Sequence, residues 1–286
     1  MIRTAGALTG CVTIILAAAE TAGWCEAVSS PQPSPWQLHA GQGVCSLNGP
    51  SSSGDATLLV KSVPGSDHFE LIVGITNSPA LKPFGFSRVT IGFGDSGAGF
   101  DWPATAVRVP LEHGTAMAVS FKGLDRNVLE TLAHAPSLRL TQNGRTLGPF
   151  TYPRADKAVA ALDSCISDQL IAWGADPAQF QAGGRRPVAL KDRDNWLSND
   201  SLLFLSRFMT GSGPTRMLQS AFRVTISDRG DIDGCRLILP EGGARLEKEA
   251  CASVLGQHLF EPPLDPQGKP VRGAASFEIR LTTWGG

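Results

Sequence analysis

From Trp36 to about Phe150, apolar and polar residues alternate in short runs separated by clusters of Gly, Pro, Ser and Asn, the period-two pattern of half-buried strands. Thr57–Val63 (TLLVKSV), Phe69–Ile75 (FELIVGI), Val89–Phe93 and Met117–Phe121 are runs of this kind. Ser137–Thr141 and Thr146–Phe150 flank Asn143-Gly144, a pair suited to a tight hairpin turn because both of its central residues take positive φ. Two segments change period. Leu124–His134 predicts a short helix stopped before Pro136. Ala155–Trp173 predicts a longer one: Val159, Leu162, Ile166, Leu170 and Trp173 form one stripe, and Gly174 stands where a helix commonly ends in a left-handed residue.

Residues 178–215 read as a linker, rich in Gly, Pro and charge at its start, with an apolar patch at Trp196–Met209 that docks locally. Patterning resumes at the C-terminus. Ala221–Ser227 alternates, Asp228-Arg229-Gly230 turns, and Ile232–Leu239 returns as the second arm of a hairpin. Leu246–Leu255 predicts a helix with Leu246, Ala250 and Val254 on one face and His258 at its carbonyl end. A Pro-rich loop leads to a last strand, Ala274–Trp284. The class is therefore α+β: a β-rich domain with a packing helix (36–177), the linker, and a small β-β-α-β module (216–286).

Ahead of these elements, Arg3 precedes an apolar run from Ala5 to Ala19, followed by the small-residue signatures Ala17-Ala18-Ala19 and Cys25-Glu26-Ala27. That is the layout of a secretory signal peptide, here 1–27, and it predicts export to the periplasm. The run is shorter than the roughly 20 residues that span a bilayer, so an uncleaved anchor is the lesser alternative. Export changes how the cysteines read. Of 6 Cys, Cys11 and Cys25 fall in the signal, leaving Cys45, Cys165, Cys235 and Cys251 for an oxidising compartment. Four cysteines allow three connectivities. The one that keeps each bond inside one domain joins Cys45 to Cys165 and Cys235 to Cys251. Lys+Arg 25 against Asp+Glu 26 gives no bulk electrostatic attraction for nucleic acid.

Candidate chemistry is sparse. Gly94-Asp95-Ser96-Gly97 spells the surroundings of a serine nucleophile, but such a serine needs a base and a group to orient that base. Only His39 and His68 precede it, neither in a protease context, and no late D-x-x-H follows; a Gly-rich turn after a strand accounts for the motif. No two of the 5 His stand at metal-ligand spacing, and no P-loop or dinucleotide fingerprint occurs. No cofactor, metal or catalytic residue is expected.

The C-terminal pattern resembles the TonB C-terminal domain family. The resemblance spans about seventy residues and rests on D-R-G-D-I after the first strand, R-L-E-K-E-A-C opening the helix, F-E-P-P-L-D-P-Q-G-K-P-V in the loop, and the closing strand. The paired Cys235 and Cys251 and the upstream Asn195-Trp196-Leu197-Ser198 are similar to an alphaproteobacterial branch of that family. On fewer residues (G-V-C-S-L early, A-L-D-S-C late) the first domain resembles the invasion-associated locus B family of secreted β proteins. The chain departs from an energy-transducing TonB in its short apolar segment, its brief Pro-rich stretch, and Pro240-Glu241-Gly242-Gly243 in place of the family's S-S-G. The resemblance thus implies binding in the manner of TonB rather than energy transduction.

In that fold class the last strand lies at a sheet edge. Phe277, Ile279 and Leu281 share one face and pack under the helix; Glu278, Arg280 and Thr282 share the other and would flank an incoming strand. The expected function is a non-enzymatic periplasmic binding or adaptor protein linked to TonB-dependent envelope transport. Its partner would be an envelope protein or peptide, such as an outer-membrane TonB-dependent receptor. A secreted structural or inhibitor-like protein and a hydrolase using Ser96 are the alternatives.

Overall fold

In the computed structural model the described residues are 36–41, 43–76, 82–94, 99–111, 114–208, 215–238 and 243–284. The predicted signal, the spacer after it, and Asp95, Ser96 and Gly97 lie outside them.

The chain builds a mixed, strand-rich structure. Strands β1 (Gln37–Gly41), β2 (Val44–Pro50), β3 (Ala56–Ser62), β4 (His68–Thr76), β5 (Phe84–Phe93), β6 (Gly99–Leu111) and β7 (Gly114–Asp125) precede helix α1 (Arg126–His134). The hairpin β8 (Ser137–Gln142) and β9 (Arg145–Thr151) and helix α2 (Ala155–Ala172) complete the first part. The strands form one nine-stranded antiparallel sheet in the order β1-β2-β3-β4-β7-β6-β5-β8-β9. Alternation works as expected from the pleat: Leu58 and Val60, Leu71 and Val73, Val119 and Phe121, and Ile91 and Phe93 are all buried on the inner face. In the β8–β9 turn Asn143 (φ 50°) and Gly144 (φ 74°) both sit in the left-handed region that this hairpin needs.

Helix α2 closes the core. Val159, Leu162, Ile166 and Leu170 are buried in it, and Gly174 (φ 107°) ends the helix. Cys165 on this helix bonds to Cys45 on β2, pinning the helix to the sheet. Strand β6 carries Pro103 and Pro110, which mask it in the sequence. Pro103 pairs with Arg88 of β5 but lies beyond the β7 ladder, which begins at Ala104, so on that side it is at an edge where a strand tolerates a missing N–H.

The second part is a three-stranded sheet built from β11 (Thr215–Ile226), β12 (Ile232–Leu237) and β14 (Gly273–Trp284), in the order β12-β11-β14, with helix α4 (Gly243–Ala252) on one face. The predicted hairpin forms, its turn closed by Gly230 (φ 89°) and by Ser227 Oγ, which accepts from the N–H groups of Arg229 and Asp231 at 3.2 Å each. Cys235 on β12 bonds to Cys251 on α4. The helix starts and ends earlier than its apolar pattern suggests. His258 is therefore not its terminal residue: it lies beyond a turn, its Nδ1 3.1 Å from Asp231 Oδ1.

Residues 178–208 do not form an open linker. Strand β10 (Val188–Ala189) pairs with β13 (Phe260–Glu261), the short helix α3 (Asn199–Leu205) follows, and Trp196 is buried in the core of the second sheet. Its ring meets Phe260 edge-on at 5.2 Å and Phe277 at 5.7 Å, while Phe277 stacks on Phe222 at 4.9 Å. The reason is physical: the three-stranded sheet and one helix leave apolar area uncovered, and an aromatic residue from the preceding segment fills it. The two parts also touch. The described residues form one compact unit, and Ala274 of β14 belongs to the core cluster of the nine-stranded sheet.

Candidate binding edge

Strand β14 lies at the edge of its sheet, paired on one side with β11 from Thr215–Trp284 to Ile226–Gly273. In an antiparallel ladder, alternate residues turn both backbone groups toward the partner strand or away from it. Ser276 and Arg272 turn away: Ser276 N–H donates to Gly65 O at 3.4 Å, and Arg272 O accepts from Asp176 N–H at 2.9 Å. The same alternation turns the N–H and C=O of Glu278 and Arg280 outward. Ala221, opposite Glu278, agrees with this register, because its carbonyl accepts from Ile238 on the β12 side. Among the described residues no group pairs with the outward backbone of Glu278 or Arg280.

The side chains divide by face. Phe277 and Ile279 are buried with Phe222, Val224 and Ala250, and Leu281 packs partly against the same cluster. Glu278 and Arg280 lie on the opposite face. Neither is a free flank: the Glu278 carboxylate accepts from Ser66 Oγ at 3.3 Å and from Arg280 Nη2 at 2.7 Å, and its side chain is only 14% exposed. The expectation for this face is corrected to that extent, since the first domain already engages it. The Thr282 backbone stands opposite Met217, and its side chain lies outside the described residues.

The group that organises this edge is Arg193, which the sequence places in the presumed linker. Its guanidinium donates to Gly65 O and Ser276 O and reaches Asp67 Oδ1 at 2.8 Å. It also lies over the rings of Phe260 (5.5 Å) and Trp196 (5.8 Å). Burial lowers its pKa, while Asp67 and Glu278 act in the opposite direction. The only signal for this role in the sequence is an Arg three residues before a Trp, too common a pairing to single out.

Gly94 ends β5 with φ 60°, and Ser96 lies outside the described residues. Among the described residues no three His, Cys, Asp or Glu side chains come together as a metal site, and no helix is long and apolar enough to cross a membrane. No protein-family model, curated protein or solved structure matches the chain.

Proposed function

We propose that this protein is a non-enzymatic binding or adaptor protein of the bacterial periplasm that captures an extended segment of an envelope partner on β14. The segment would add as a strand beyond β14, drawing its affinity from main-chain bonds to Glu278 and Arg280 and its selectivity from the side chains beside them. The observation that carries this reading is the outward-facing, unpaired backbone of these two residues on an edge strand. The two disulfides support an oxidising compartment. The sequence resemblance of 216–286 to the TonB C-terminal domain family supports a partner class: the N-terminal peptide of an outer-membrane TonB-dependent receptor.

The test is titration of the full chain with such peptides against Arg280→Pro. Arg280 N–H points away from β11, so proline there removes an outward donor without deleting a bond of the β11–β14 ladder. Binding by the wild type and its loss in a folded Arg280→Pro variant are expected. Absence of binding to the wild type, or equal binding by the variant, rejects the reading.

A further inference from the structure

A cavity of about 260 Å³ lies where α1, α2 and the β3–β4 turn meet the segment before α3 and the start of β14. Its floor is apolar (Leu129, Ile166, Leu170), but its polar lining is cationic: Arg126, Arg186 and Arg193 stand around it with Ser62, Ser66 and His68. Asp67 is the single carboxylate on the lining.

Most of these charges have partners. Arg126 pairs with Asp163 and, at 3.6 Å, with Glu130; Arg193 pairs with Asp67; His68 Nδ1 lies 3.1 Å from Asp125 Oδ1. Among the described residues no carboxylate stands in ion-pair contact with Arg186. Arg186 donates to Ser167 Oγ at 3.0 Å and lies over the Phe180 ring at 5.1 Å. Burial lowers its pKa, and Arg126 pushes in the same direction, partly offset by Asp163. Arg193 supplies an independent sign: its buried Nε finds no hydrogen-bond acceptor among the described residues. A half-buried guanidinium with no carboxylate in ion-pair contact, on the same lining as a residue with an unsatisfied buried donor, is a costly arrangement for a cavity that holds only water.

We propose that this cavity is a binding site for a small phosphomonoester, with Arg186 as its principal anchor. Asp163 and Asp67 offset Arg126 and Arg193, so one positive charge, that of Arg186, is left for the phosphate. Planar guanidinium donors suit its multiple oxygens. The volume is several times the ~30 Å³ share of one water, and it lies below the roughly 300–1,000 Å³ of drug-sized pockets, so it suits a phosphate carrying a short organic group on the apolar floor. The site does not depend on the β14 reading, and either can fail alone.

The test uses inorganic phosphate on the oxidised full chain by calorimetry, at ionic strength held constant with NaCl. Saturable 1:1 binding is expected, weakened at least about tenfold by Arg186→Gln and less by Arg186→Lys, which keeps a cation but not the planar fork. No saturable binding, an equal response to acetate, or unchanged affinity in folded Arg186→Gln overturns the proposal. Should Arg186→Gln fail to fold, backbone NMR of the wild type decides: phosphate must shift Gly65, His68, Arg186 and Arg193, and shifts confined elsewhere reject the site.

Discussion

Gly65 and Ser276 meet backbone to backbone, the Ser276 N–H donating to the Gly65 carbonyl at 3.4 Å while Arg193 donates to the carbonyls of both. This contact divides the edge of β14. The β3–β4 turn holds the strand at Ser276, and among the described residues the outward backbone of Glu278 and Arg280 beyond it has no partner. The division also locks the second sheet to the first, so the module does not behave as a bead on a flexible tether.

Gly65→Ala tests that lock. Gly65 has φ +78°, and a Cβ there would lie 2.6 Å from Ala275 Cα, a backbone atom that cannot swing aside. Gly54 is the control: its φ is +74°, but nothing lies within 4 Å of its Cβ position. Gly54→Ala is expected to cost about 1 kcal/mol from the left-handed backbone alone, and Gly65→Ala clearly more. Equal denaturant midpoints for the two variants would show that the close approach contributes nothing.

Arg193→Ala removes the donors to Gly65 and Ser276 and the cation over Trp196 and Phe260. Gly65 O keeps the Ser276 N–H, but the buried Ser276 O loses its donor, at a cost of about 1–3 kcal/mol. The loss should be local first: hydrogen exchange at the Ser276 amide should accelerate more than at Phe222 or Phe277, which sit in the ladder between β11 and β14. Uniform acceleration across both sheets would mean instead that the clasp and the whole fold open together.

The strands and helices were legible where one face is buried and the other wet, as in β3, β4 and α2. There, residues such as Leu58, Leu71 and Leu162 report the core through their spacing. What escaped was set by long-range contact. Pro103 hides β6, because a local rule excludes proline from a central strand, and the sequence does not show that the β7 ladder stops at Ala104 and leaves Pro103 paired on one side only. Residues 178–208 carry the composition of a linker, and their packing depends on apolar area left open on another sheet. The pairing of Glu278 with Ser66 was invisible for the same reason, since alternation gives a face but not what covers it.

The two disulfides should contribute unequally. Cys235–Cys251 closes a separation of 16 residues and Cys45–Cys165 one of 120. Chain entropy gives upper figures of about 3 and about 5 kcal/mol. Replacing Cys45 and Cys165 with Ala should therefore lower the unfolding midpoint more than replacing Cys235 and Cys251. The reverse order would mean that the thin core of the second sheet, rather than loop closure, sets the sensitivity.

Acid should weaken the turn between β2 and β3 through Asp55. Hydrogen bonds from Ser53 and then Ser51 hold the Asp55 carboxyl below its usual range, the latter at 2.9 Å. Ser51 Oγ in turn accepts from Ala56 N–H at 3.1 Å, so the carboxylate orients a hydroxyl that caps the start of β3. A group whose folded pKa is depressed adds stability that is fully present above its unfolded pKa, near 3.9, and is lost as pH falls through the folded value. Asp55 is exposed, so water screens the effect and the gain at neutral pH stays below about 1 kcal/mol. Asp55→Asn should lower the urea midpoint slightly at pH 7, and the gap from wild type should close as pH falls below about 4. A gap that stays constant with pH would assign the loss to turn geometry instead of to the charge.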